Sequence, residues 1–231
     1  MPIDVPLARR QHRGYEACLA ARGCTVERLE ELDLPDAVFV EDTALVLDEL
    51  AIITRPGALS RRAETASVKA ALAPHRRLGG IESPGTLDGG DVLAVDRTLF
   101  VGRSGRSNDD GIDQLRALVE PLGYRIRPVE VRDCLHLKSA ATQVGDRTLL
   151  IQRAWADGRD FEGLDLIEVA AGEEAGANAL WIGGAVIYPS DFPRTGQRLA
   201  DRGFEVVPVE ISELAKAEGG VTCCSLIVPA R

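Results

Sequence analysis

The chain has 231 residues, 45% of them hydrophobic and 27% charged, which suits one soluble globular domain with a sizeable core. Its net charge of -9 argues against a nucleic-acid binder, which needs a basic face for phosphates. Five cysteines without CxxC spacing suggest neither a disulfide framework nor a zinc knuckle. No apolar run approaches the ~18 residues of a membrane span, and the start Met1-Pro2-Ile3-Asp4 lacks a signal-peptide stretch. A reducing, cytoplasmic setting is expected, with no membrane partner.

In chain order, a helix is expected over roughly 7–22, ended by Gly23 and followed by the β-prone Cys24-Thr-Val. A form of paired apolar runs then repeats. Ala44–Leu47 and Ala51–Ile53 flank Asp48-Glu49-Leu50, and Val92–Val95 and Thr98–Val101 flank Asp96-Arg97. Gly145-Asp146-Arg147 precedes Thr148–Ile151, and Leu180–Ile182 and Ala185–Tyr188 flank Gly183-Gly184. Asp-Arg, Gly-Asp and Gly-Gly between such runs are hairpin signals. Helical stretches lie between them over roughly 61–73, 108–122, 157–163 and 193–203. Asn108 or Asp109 caps the second of these, and Gly123 and Gly203 stand at helix ends before new β-prone runs. Each unit reads as hairpin, helix, strand. The copies start about 40–50 residues apart, a period typical of radial or solenoid arrays. Four units plus a C-terminal strand over Thr222–Val228 predict a five-part α/β ring closed by its ends, in a single domain over 1–231.

In this layout Glu41-Asp42, Asp88, His136 and Cys223 each lie just before or at the start of an apolar strand, with Asn178 equivalent in the fourth unit. Pseudo-symmetry would bring them together. Most thiols that form no disulfide are buried small hydrophobes. Behind Gly219-Gly220, however, the Cys223-Cys224 backbone can approach a ligand closely, and a polar thiol near an imidazolium ionises readily. Cys223 is expected to be the nucleophile, with Cys224 facing the core. His12 and His75 sit in charged, solvated contexts. A lone histidine is most often structural, but His136 gains from its strand start and from Lys138-Ser139 beside it.

Asp88-Gly89-Gly90-Asp91 could be a turn, yet the hairpin already has its turn at Asp96-Arg97. Glu41 and Asp42 follow the apolar Ala37–Val40, and internal carboxylates need a partner, which a guanidinium would supply in paired N–H donors. Arginines follow the hairpins at Arg55, Arg61-Arg62, Arg103 and Arg106. Solvation is their default; an anion contact from Arg61 or Arg106 is the functional reading. A ligand with a cationic head and a carboxylate tail, such as arginine or a relative, would use both sets.

Six motifs, in order, carry a resemblance: Phe39-Val-Glu-Asp-Thr-Ala, Ile53-Thr-Arg-Pro-Gly-Ala with Ser60-Arg-Arg, Leu87-Asp-Gly-Gly-Asp-Val, Arg106-Ser-Asn, Leu135-His-Leu-Lys-Ser and Val221-Thr-Cys-Cys-Ser. From about residue 8 to the C-terminus, the chain resembles the dimethylarginine dimethylaminohydrolases of the amidinotransferase-related, guanidine-modifying superfamily. The resemblance implies a five-bladed α/β-propeller and cofactor-free hydrolysis of Nω-methylated arginines to citrulline and a methylamine. It implies Cys223 as nucleophile, since the family varies at the next position and has Ser or Thr after it. His136 would be the general acid and base, and Asp88 the active-site carboxylate. Glu41 and Asp42 would hold the guanidinium, Asp36 the α-amino group, and Arg61 and Arg106 the α-carboxylate. The family has a further N-terminal strand and a lid loop before the first helix, which this chain starts too late to supply: the start is misassigned, the lid is absent by nature, or the ring is closed differently. The implied partner is a small-molecule guanidine, with homo-oligomer formation left open. A metal held by Cys223, His136 and the acids would be adventitious and inhibitory. His136-Leu-Lys138 differs from the His-x-acid of arginine and agmatine deiminases. A deiminase, an amidinotransferase and a non-enzymatic propeller binding protein are the alternatives.

Overall fold

A computed structural model describes residues 2–30 and 32–230. Helix α1 (Val5–Ala21) opens where Asp4 Oδ1 accepts the Leu7 N–H at 2.9 Å, and Pro6 sits in its first turn, where no backbone donor is missed. Four units follow, each built as two antiparallel strands, a helical segment and a third strand parallel to the second. In chain order they are β1 (Ala44–Val46), β2 (Leu50–Ile53), α2 (Thr65–Leu72) and β3 (Arg77–Gly80); β4 (Val92–Val95), β5 (Thr98–Arg103), α3 (Asp109–Val119) and β6 (Arg125–Glu130); then, after the short α4 (Leu137–Ala140), β7 (Ala141–Gly145), β8 (Thr148–Ile151) and β9 (Asp165–Glu168); and β10 (Leu180–Ile182), β11 (Ala185–Pro189), α5 (Pro193–Asp201) and β12 (Glu205–Val209). Each sheet has three strands, in the sequence order of its unit. The short α6 (Ser212–Ala215) precedes the C-terminal segment.

The turn residues act as the sequence predicts. Asp96 takes φ 52°, and Gly183 and Gly184 take 57° and 77°, the left-handed geometry that a two-residue hairpin turn demands. Gly23, Gly123 and Gly203 all lie near φ +86°. Behind each, the next N–H folds back onto the helix: Cys24 to Leu19 O, Tyr124 to Val119 O, and Phe204 to Leu199 O. Asn108 is the cap of α3, its Oδ1 accepting from Gly111 N at 2.9 Å.

The chain divides into two compact units, one from Met1–Arg28 and Ser139–Thr222, the other from Leu29–Lys138 and Cys223–Arg231. In the first, Val144, Leu150, Ile167, Val186, Tyr188 and Leu199 form the core between sheet and helix. In the second, strand alternation serves two cores at once. Leu50 and Ile52 face Leu99, Val101 and the Ile112, Leu115, Val119 stripe of α3, while Ala51 and Ile53 face Val68 and Leu72 of α2. Leu226 and Val228 pack on that latter core, and Pro229 O accepts from Arg76 Nη2 at 2.6 Å.

Two local expectations are corrected. No strand forms over Thr222–Val228: Val221–Cys224 is a turn, and the Cys223 carbonyl accepts from Glu41 N at 3.1 Å outside any ladder. The helix expected over 157–163 is only a 3-10 turn, Gly158–Phe161, between Asp157 as its cap and Gly163 at φ 88°. Among the described residues no helix is long and apolar enough to cross a membrane.

Candidate active site

All the candidate residues belong to the unit formed by Leu29–Lys138 and Cys223–Arg231. The 3-10 turn Val40–Thr43 aims two consecutive carboxylates inward, and both are buried. Glu41 anchors the Cys223 backbone through its N–H, and its Oε1 pairs with Lys138 Nζ at 2.7 Å. Asp42 accepts from Gly90 N at 3.0 Å, pairs with Arg61 Nη1, and places Oδ1 3.8 Å from His136 Nδ1.

Asp88 is fully buried, and its Oδ2 lies 3.0 Å from His136 Nε2 while Oδ1 accepts from Gly57 N at 2.9 Å. Gly89 and Gly90 permit this approach. A Cβ at Gly89 would stand 2.0 Å from Glu41 O, and one at Gly90 2.7 Å from Asp42 Oδ1 and 2.8 Å from His136 Nδ1. The Asp-Gly-Gly-Asp run is therefore a close-packed floor under an imidazole, which a turn alone would not require.

Burial pulls the His136 imidazole down, but the Asp88 hydrogen bond and the charges of Asp42, Asp91 and Asp88 outweigh it. Its pKa rises to about 9, so the ring is an imidazolium near neutral pH, with an acid facing each nitrogen. Cys223 is half-buried. Cys224 is buried, and burial together with Cys223 and Glu41 lifts its thiol well above the usual range. Of the two, Cys223 has the access a nucleophile needs.

Arg61 is buried. Its Nε and Nη2 donate to Glu64, Nη2 also to Phe39 O at 2.8 Å and Asp36 O at 3.2 Å, and Nη1 to Asp42. Burial opposes its charge, but Glu64 and Asp42 more than restore it. Arg61 thus orients Asp42, a role absent from the sequence reading. Arg106 is half-buried. Its backbone N–H donates to Ser104 Oγ at 3.0 Å, and its carbonyl presses on Gly57, where a Cβ would lie 2.4 Å away. Asp36 is half-buried, and its carbonyl receives Arg61 Nη2 and Phe39 N.

Glu41, Asp42, Glu64, Asp88 and Asp91 are five buried acids facing three cations, Arg61, Lys138 and His136. That imbalance favours a cationic ligand. Asp42, Asp88 and His136 each bring one donor atom within 4.8 Å of the others. A divalent ion there would have to break the Asp88–His136 bond and displace the proton that His136 carries, so the donor set suits a hydrogen-bonding cation better. Glu64, Lys138 as the Glu41 partner, and Ser104 and Ser107 on Asp91 were not read from the sequence as site residues. Only Glu64 carries a local signal, three residues after Arg61.

No family model matches the chain. It is 45% identical over 230 residues to N(G),N(G)-dimethylarginine dimethylaminohydrolase of Streptomyces coelicolor, covering 97% of this chain and 87% of that one. It is 34% identical over 226 residues to the protein of the same name from Pseudomonas aeruginosa, covering 96% and 89%. A solved structure of DDAH from Pseudomonas aeruginosa, a cysteine-to-serine mutant complexed with citrulline, matches with a TM-score of 0.92 at 33% identity. It covers 96% of this chain and 88% of that chain.

Proposed function

Because the chain belongs to the dimethylarginine dimethylaminohydrolase family, we propose that it hydrolyses Nω-methylated arginine to citrulline and methylamine or dimethylamine, with Cys223 as the nucleophile. The observation that carries this reading is the imidazolium of His136 held by Asp88 at 3.0 Å inside a ring of excess carboxylates.

Glu41 and Asp42 hold the substrate guanidinium and keep it charged, so its central carbon stays electrophilic. Arg106 meets the α-carboxylate, Asp36 the α-amino group, and Arg61 reaches the carboxylate through the Nη1 hydrogen not given to Asp42. The Cys223 thiolate forms a C–S bond to the guanidinium carbon. His136 then gives its proton to the methylated nitrogen, the C–N bond breaks, and the amine departs, leaving a thiouronium. Neutral His136, still held by Asp88, takes a proton from water. The hydroxide adds to the same carbon, the C–S bond breaks, the hydroxyl proton passes to the released amine or to solvent, and citrulline leaves with the thiolate restored and His136 protonated. No step calls on a cofactor.

For the fold, the proposal is the five-bladed α/β-propeller, with the four ββαβ sheets as four of its blades. The fourfold repetition and the likeness to the family structure support it. A reducing cytoplasm suits a thiol nucleophile.

The test compares asymmetric dimethylarginine, arginine and agmatine side by side, following the ureido product of each together with the dimethylamine or ammonia released. Release from the methylated substrate is expected. Turnover of arginine or agmatine alone would move the chain to the deiminases, and no turnover of any would favour a binding protein.

A further inference from the structure

Asp91 is the last acid of the Asp-Gly-Gly-Asp run, and no step above uses it. It is fully buried, and its two oxygens are spent on three donors. Oδ1 accepts from Leu137 N at 3.0 Å, the peptide N–H that follows His136 directly. Oδ2 accepts from both Ser104 Oγ and Ser107 Oγ at 2.6 Å. An ionised carboxylate is acceptor-only, so each hydroxyl must point its hydrogen at Asp91 and turn its lone pairs away. Those lone pairs receive backbone N–H groups: Ser107 Oγ takes Asp88 N at 3.1 Å, and Ser104 Oγ takes Arg106 N at 3.0 Å and, more weakly, Ser107 N at 3.4 Å. The surroundings are built around this group. A Cβ at Gly102 would stand 2.7 Å from Asp91 Oδ1 and 3.0 Å from Leu137 Cβ.

Resting on the hydrolase reading above, we infer that Asp91 is a positioning residue that locks the acid-base pair and the carboxylate-binding arginine into one frame. It reaches His136 through Leu137 N, Asp88 through Ser107, and Arg106 through Ser104. A buried turn anchor would serve its own loop; these three bonds lead, through the His136–Leu137 peptide and through two serine hydroxyls, to the backbones of three different functional residues. Ser104 and Ser107 divide the connection into an arm toward substrate binding and an arm toward chemistry.

Burial pushes the Asp91 carboxyl up to about 6, against the His136 charge, the two hydroxyls and Leu137 N. His136 in turn faces Asp88, Asp42 and Asp91, with Cys134 and Lys138 on its own segment. An asparagine at 91 removes one of those charges and cannot accept from all three donors with its single oxygen.

The experiment compares wild type, Ser104→Ala, Ser107→Ala and Asp91→Asn. Kinetics are measured on asymmetric dimethylarginine and on Nω,Nω-dimethylagmatine, which lacks the α-carboxylate. The His136 ring is titrated in parallel by NMR in the absence of substrate. Ser104→Ala is expected to raise KM about tenfold on dimethylarginine with kcat kept, and to leave the KM for dimethylagmatine unchanged. Ser107→Ala should lower kcat about tenfold on any substrate that turns over. Asp91→Asn should show both effects, with His136 titrating lower than in wild type. The inference is overturned if the serine variants act alike on both substrates, or not at all, or if His136 titrates in Asp91→Asn as in wild type. Should Asp91→Asn not fold, the serine variants decide. Should wild type turn over neither substrate, the hydrolase reading fails, and the His136 titration alone decides whether Asp91 governs this ring.

Discussion

In the proposed mechanism His136 and Cys223 divide the chemistry, and each has a property that a point change isolates. The folded His136 pKa of about 9 lies above its ordinary 6.5, so the ring adds stability in full below about pH 6.5 and loses it as pH rises through about 9. The difference in unfolding free energy between wild type and His136→Gln should therefore shrink by roughly 3 kcal/mol across that window. Urea titrations at pH 6 and pH 9.5 check it, and a difference flat with pH would contradict the Asp88 and Asp42 pairing. For the thiols, Cys223→Ser should abolish citrulline formation, while Cys224→Ala, at a buried site, should fold and keep most of the activity. Loss of activity in both with unchanged stability would exchange their roles. The sequence reading reached Cys223, His136, Asp88, Glu41 and Asp42 because reactive side chains stood at equivalent repeat positions. The commitment of Arg61 to Asp42 and Glu64 was not legible there, since residue type names a donor and not the partner it meets after folding.

Elements hold these groups through backbone fit. Gly89 admits the Glu41 carbonyl where any Cβ would lie 2.0 Å from it, so Gly89→Ala must move the Val40–Thr43 turn or Asp88. It is expected to cost at least about 2 kcal/mol and most of the activity, read by melting temperature and dimethylamine release together. Asn108→Ala is a milder change at this scale. It removes the α3 cap and the Thr86 N bond at 2.8 Å, for about 1 kcal/mol, with activity retained. Retained stability in Gly89→Ala would mean that the glycine floor is not what places Asp88. Hairpins, helix ends and the Asn108 cap were legible from local turn chemistry, which acts over a few residues. The absent Thr222–Val228 strand was not, because β-prone residues form a strand only when a ladder partner is present, and here the Cys223 carbonyl is taken by Glu41 N.

At the scale of the molecule, the C-terminal segment brings Cys223, the proposed nucleophile, to a unit otherwise formed by Leu29–Lys138. Leu226 and Val228 on the α2 core and Pro229 O on Arg76 tether it there. The fourfold ββαβ repetition could be read from the chain, because each copy carries its own turn signals. The buried carboxylate excess could not, since a net charge of -9 says nothing about where the charges gather. The account as a whole stands on a covalent bond between the Cys223 sulfur and the guanidinium carbon of substrate. Acid-quenched turnover with asymmetric dimethylarginine, followed by peptide mass spectrometry, tests it most directly. A transient thiouronium adduct is expected on the peptide holding Cys223, decaying as citrulline appears. Full-rate citrulline formation by a Cys223→Ser protein, or an adduct on Cys134 in place of Cys223, would contradict it.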